Sequence, residues 1–181
     1  MINERILDYG KQKELPQRTL DRWLDLAEDD QEALLRLAQG LNLGKNHLRD
    51  FLDWLEEISL RDGVTPSNIL KREPFIRITS DPRLGRGDRL KRIKEEMRRI
   101  RFPRLSQLED EINKRIRGLK LLPQIQMTIP SGLESGALTV CIKASSYEEL
   151  RKLVGEIGQA LDREGMKEIF SLLRGESDGG I

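Results

Sequence analysis

Little in this 181-residue chain can serve as a soft metal ligand or a redox centre: it has one cysteine, Cys141, and one histidine, His47. A lone cysteine closes no internal disulfide, so nothing points to an oxidising compartment. One Cys and one His cannot build the usual zinc site. Aromatic residues make up 4% of the chain, which argues against a large all-β core. No run approaches the roughly 20 apolar residues needed to span a bilayer. Met1-Ile2-Asn3-Glu4-Arg5 places an acid early and no apolar stretch follows, so no signal peptide is expected. No Ser/His/Asp set or paired-carboxylate site can be argued either. These absences predict a cytoplasmic, non-enzymatic protein with no catalytic residues, no metal, no cofactor and no membrane association.

An excess of charge is missing too, since 32 Lys+Arg stand against 31 Asp+Glu. The even total conceals segregation. Residues 1–70 hold 9 basic and 14 acidic residues, 71–121 hold 17 and 8, and 122–181 hold 6 and 9. A basic middle flanked by acidic ends matters more to partner choice than the net value of +1.

Apolar spacing supplies the elements. Residues 2–14 carry only a weak helical pattern, broken by Gly10 and Pro16, and read as part of an N-terminal arm over 1–18. Leu20, Trp23, Leu24 and Ala27 then fall at helical spacing, and Asp29 or Asp30 is suited to cap the next helix. That helix carries Leu34, Leu37 and Ala38 and is expected to stop near Gly40. Leu48, Phe51, Leu52, Leu55 and Ile58 form another stripe, and Thr65-Pro66 reads as the cap and first residue of a short helix. Residues 72–87, with Pro74, Pro82, Gly85 and Gly87, look like a linker, within which Gly85-Arg86-Gly87 lacks the preceding strand and third Gly of a phosphate loop and reads as a hinge. Asp88 can start a helix reaching Arg101, with Leu90, Ile93, Met97 and Ile100 on one face. After Phe102-Pro103 comes a helix over about 104–119.

The period then changes. Ile125, Met127 and Ile129, and later Leu138, Val140 and Ile142, alternate with other residues and predict a hairpin. Cys141 falls on the face opposite Val140 and Ile142. Pro130-Ser131-Gly132 and Ser135-Gly136 make its loop. Ser145 or Ser146 with Glu148 or Glu149 predicts a capped helix whose face is Leu150, Leu153, Val154, Ile157 and Leu161. Gly165 is expected to break it before a short final helix. The fold class is therefore mainly α with a small α+β module. It comprises a helix-turn-helix-like domain at 19–71, a linker and basic helix at 72–103, an α-β-β-α domain at 104–174 and a flexible tail at 175–181.

The window from Leu34 to Asp53 has the spacing of a helix-turn-helix. Small Ala38 allows close approach, and Asn42 tolerates the left-handed conformation of a sharp turn. The second helix begins near Lys45 and presents Lys45, Asn46 and Arg49 outward. Arg or Lys can donate to guanine and Asn can pair with adenine. His47 reads as a surface polar or phosphate contact. Two amphipathic helices joined by any short turn would give much of the same pattern. Asp50, Asp53, Glu56 and Glu57 would repel phosphates lying near them.

Leu37-Ala38-Gln39-Gly40-Leu41-Asn42, through His47-Leu48 to Leu52 and Leu55, resembles the helix-turn-helix of ParB-like chromosome-partition proteins. Asn42 replaces the family's Gly, and Leu43-Gly44 stand where Lys-Ser often occurs, so a polar contact position is lost. Arg101-Phe102-Pro103-Arg104-Leu105-Ser106 is similar to a junction in some ParB-like bacterial proteins. The resemblance implies DNA binding through the helix-turn-helix and homodimerisation through the C-terminal α-β-β-α domain. The family's N-terminal nucleotide-binding domain, with its Gly-Glu-Arg-Arg phosphate motif, is not among these residues. No nucleotide-switch function follows from the resemblance.

Arg89, Lys91, Arg92, Lys94, Arg98, Arg99, Arg101 and Arg104 form a cluster suited to neutralising DNA phosphates. The same cluster could pair with acidic residues of this chain, bind an acidic partner protein, or simply be solvated. Two functions are thus expected from the sequence: DNA binding and dimerisation of ParB-like type, in DNA partition or transcription regulation, or a protein-interaction adaptor that uses the acidic helical domain and the basic helix without DNA.

Overall fold

The computed structural model describes residues 1–133 and 136–175, which divide into two compact units, one ending at Arg101 and the other beginning at Phe102. The chain is mainly helical with one two-stranded antiparallel sheet. The expected tail, apart from Gly175, and Ser135 of the expected loop lie outside the described residues.

The first unit holds α1 (Ile2–Gln12), α2 (Gln17–Leu24), α3 (Glu28–Leu41), α4 (Lys45–Asp62), α5 (Pro66–Leu70), α6 (Glu73–Ser80) and α7 (Arg86–Arg101). Its core joins Trp23, Leu34, Leu48, Phe51, Phe75 and Ile93 with their neighbours. Helix α1 is not a free arm: Ile6 is fully buried and Tyr9 nearly so. The Gly10 that weakens its pattern is where α2 approaches, since a Cβ there would lie 2.9 Å from Leu20 Cδ1. Nor is 72–87 a linker throughout. Pro74 occupies the first turn of α6, where a missing N–H costs nothing, and Phe75 and Ile78 of that helix are buried.

Helix ends also differ from expectation. Helix α2 stops at Leu24, so Ala27 becomes the N-cap residue of α3 instead of a fourth member of the α2 face. Asp30 lies inside α3 and is buried. Its Oδ1 accepts a 2.7 Å hydrogen bond from the Ser67 N–H and so caps α5 across the fold. Thr65 caps α5 locally, accepting from the Asn68 N–H. Helix α3 continues through Gly40 and ends because Asn42 turns left-handed (φ 52°, ψ 51°).

The second unit comprises α8 (Pro103–Gly118), β1 (Ile125–Thr128), β2 (Thr139–Ile142), α9 (Tyr147–Leu161) and α10 (Glu164–Leu173). Ile125 pairs with Ile142 and Met127 with Val140, which puts these four side chains on one face. Ile112, Leu119, Met127, Ala160, Met166 and Ile169 form the core. Arg115 ties α8 to α10 through Glu168 (2.6 Å), and Arg163 caps α8 by donating to the Leu119 carbonyl. Ser146 caps α9 by accepting from the Glu149 N–H, while the Glu149 carboxylate takes the Ser145 N–H and hydroxyl. The break after α9 falls at Asp162-Arg163, and Gly165 is helical in α10.

Helix α9 buries only part of its apolar face. Leu153 and Ala160 are inside, but Tyr147, Leu150, Val154 and Leu161 are exposed and Ile157 is half-buried. The spacing 147, 150, 154, 157, 161 is the alternation of threes and fours found at a helix–helix seam.

Candidate nucleic-acid interface

Helices α3 and α4 meet at a three-residue turn, Asn42-Leu43-Gly44. Leu43 and Ala38 are fully buried, so the turn is packed as well as bent. Tyr9 holds it from below. Its hydroxyl lies 2.9 Å from the Ala38 carbonyl oxygen and 2.8 Å from that of Leu43, and its single proton is shared between them. Burial pushes the phenol above its ordinary range, so it is a neutral donor at pH 7. Lys13 adds a hydrogen bond to the Asn42 side-chain oxygen. The first contact comes from α1 and the second from the residue that follows it.

Lys45, Asn46 and Arg49 are exposed on the first turns of α4. Arg49 reaches the adjacent Asp50 at 3.3 Å, a solvated contact. His47 differs from a surface residue: it is half-buried, and its Nδ1 is covered without a hydrogen-bond partner. Only the opposite edge of the ring can face a phosphate.

The acids of α4 that would repel DNA are partly offset within the unit. Arg22 of α2 binds Asp53 (2.7 Å) and Glu56 (2.6 Å). Arg101 of α7 binds Glu57 (2.6 Å) and also stacks on Trp54, with its guanidinium 5.5 Å from the ring centre. Each pair is partly exposed, so its worth is chiefly to cancel charge locally rather than to stabilise the fold.

Contacts along α4 and α7 fix their relative sense. The Lys94 ammonium lies 5.6 Å over Trp54, and the Arg61 guanidinium caps α7 by donating to the Ile100 (2.7 Å) and Arg101 (2.6 Å) carbonyls. Trp54 meets both Lys94 and Arg101, Arg61 meets residues 100–101, and Arg89 stands near Gly40 and Leu41, an order that fits helices running the same way. Their N-terminal ends share one end of the unit. Arg89, near the start of α7, lines a cavity together with Gly40 and Leu41, which lead into the α3–α4 turn.

This geometry sorts the basic residues singled out in the sequence. Arg89, Lys91 and Arg92 lie toward the same end as Lys45, Asn46 and Arg49. Lys91 and Arg92 are exposed there, whereas Arg89 is half-buried and donates to the Asp81 carbonyl (2.8 Å). Arg98, Arg99 and Arg101 stand toward the other end, about 13 to 18 Å along the axis from Arg89. Arg98 and Arg99 approach Glu95 at 3.9 and 4.0 Å. Arg104 belongs to α8 of the second unit.

Sequence reasoning missed Tyr9, Arg22 and Arg61. Each acts on residues 29 to 40 positions away, and no local spacing announces such a contact. Among the described residues no three His, Cys, Asp or Glu side chains cluster as metal ligands, and no helix is long and apolar enough to cross a membrane. Comparison with protein-family models, with curated proteins and with solved structures finds no match to this chain.

Proposed function

We propose that this chain is a non-enzymatic DNA-binding protein of ParB-like type that dimerises through its second unit. The observation that carries the proposal is the braced turn before α4. It presents Lys45, Asn46 and Arg49 on exposed first turns, while Arg22 and Arg101 offset part of the acidic charge behind them. A helix entering the major groove reads bases with its N-terminal residues, and cations beside it hold phosphates. Lys91 and Arg92 suit the second task. A role in DNA partition or transcription regulation is the process such binding would serve.

Dimerisation is supported by the uncovered seam on α9. A second copy of the same seam would bury Leu150, Val154 and Leu161, and symmetric self-pairing is the commonest way such a face is covered.

The test is duplex binding by fluorescence anisotropy at several salt concentrations, with light scattering on the same sample. A dimer should bind duplex DNA, and log affinity should fall with log salt by close to one unit per neutralised phosphate. Absence of duplex binding at low salt would sink the DNA assignment and favour the protein-adaptor function. A monomer at high micromolar concentration would defeat the dimer.

A further inference from the structure

One cavity in the first unit has no part in the function proposed above. It measures about 480 Å³, within the range of roughly 300–1,000 Å³ typical of small-molecule sites. Leu37 and Leu41 of α3, Leu70 at the end of α5, and Phe75 and Ile76 of α6 give it an apolar wall. Ile76 is 53% exposed, a large apolar side chain left open on this surface. Three cations stand around the wall: Arg36, Lys71 and Arg89. Among the described residues no carboxylate lines it.

Two details make this more than a surface dent. The Nε of Arg89 is buried and has no hydrogen-bond partner, while its Nη2 is anchored on the Asp81 carbonyl. A donor covered to this degree is out of reach of a molecule in the cavity, so Arg89 acts there through the charge of its guanidinium, which the Asp81 carbonyl holds in place. The second detail is Gly40. It lies within α3, its φ is not in the left-handed region, and a Cβ there would meet nothing within 4 Å. Neither packing nor backbone conformation asks for glycine, which costs a helix about 1 kcal/mol relative to alanine. Gly40 lines the cavity, so a large side chain placed there would occupy it.

We propose that this cavity binds a small amphipathic anion: an aromatic or branched aliphatic body seated against Phe75, Leu37 and Leu41, carrying a carboxylate or phosphate that meets Arg89 and Lys71. The apolar wall gives the body its burial. The cations, with no acid among the lining residues, select the charge. Arg36 contributes less, because its Nε already binds Glu32 at 3.0 Å. Of its side chains only Arg89 is also among the basic residues singled out for phosphate contact, and none belongs to the first turns of α4.

The test uses 4-phenylbutyrate and phenyl phosphate as probes, with 4-phenylbutyramide as the neutral control. Amide NMR shifts of the full chain are followed during titration. Saturable shifts are expected at Gly40, Thr79 and Arg89, with the two anions about tenfold tighter than the amide. Gly40→Leu should fill the cavity and abolish saturation without lowering the melting temperature. Lys71→Gln, on an exposed side chain, should weaken both anions and leave the amide unchanged. Equal binding of anion and amide would overturn the proposal. So would shifts confined to another surface, unaltered binding in a folded Gly40→Leu variant, or no saturation up to millimolar probe.

Discussion

The Tyr9 hydroxyl reaches a backbone carbonyl on each side of Asn42 and is the polar link between α1 and those two carbonyls. Tyr9→Phe keeps the ring, its packing on Trp23 and its burial, and removes only that link. The expected cost is about 1–2 kcal/mol in urea denaturation; an unchanged midpoint would show that the hydroxyl braces nothing. Asn42 itself is legible as a turn residue, because few residue types other than Gly tolerate positive φ. Asn42→Ala should cost about 1 kcal/mol by the same measurement, and no loss would argue against the left-handed turn. The partners of these residues are not legible, because Tyr9 and Lys13 sit in a segment whose own pattern is weak. A third residue, Asp81, accepts from the Arg83 guanidinium and N–H, with Arg92 nearby, and is held well below the usual value of 3.8, at about 2. Ionised Asp81 therefore favours the folded state above the ordinary Asp range, and that contribution disappears as pH falls from 3.8 through about 2. A carboxyl NMR titration should give a midpoint near the lower value. A midpoint at 3.8 would mean that the Arg83 contacts do not form in solution.

At the level of elements, regular apolar spacing is a good guide, and breakers are right at Thr65-Pro66 and Phe102-Pro103 but mislead at Gly10 and Pro74. Helices α4 and α7 follow their stripes, and the hairpin follows its alternation. Helix α1 and helix α6 escape the same reasoning because Gly10 and Pro74 look like interruptions in isolation. In the fold, Gly10 admits Leu20 and Pro74 starts a helix, so each serves packing that only a distant partner reveals. Asp30 shows the same limit: it has the chemistry of a cap but serves α5 and not its own helix. Helix α9 presents the opposite case, a stripe fully visible in the sequence and only half covered within the chain. Val154→Glu and Leu161→Glu place charge on exposed positions, so the second unit should keep its helicity by circular dichroism. If α9 is the dimer seam, the double variant should run as a monomer in light scattering. A variant that still dimerises would assign the interface elsewhere.

For the whole molecule, the segregation of charge acquires a structural meaning. The acidic first segment and the basic helix are not separate modules: α7 lies on the core of the first unit through Ile93 and Met97, and its Arg101 neutralises Glu57 of α4. Part of the basic cluster is therefore spent inside the unit. Lys91 and Arg92 remain exposed, Arg92 in a cleft shared with Ile78 and Asp81. The direct measurement is the salt dependence of duplex binding for the full chain and two double variants, Lys45→Ala with Arg49→Ala, and Arg98→Ala with Arg99→Ala. The account predicts that the first pair lowers affinity and flattens the salt slope by up to about 2 units, while the second leaves the slope nearly unchanged. The reverse pattern, or no duplex binding by the unaltered protein at low salt, would contradict it.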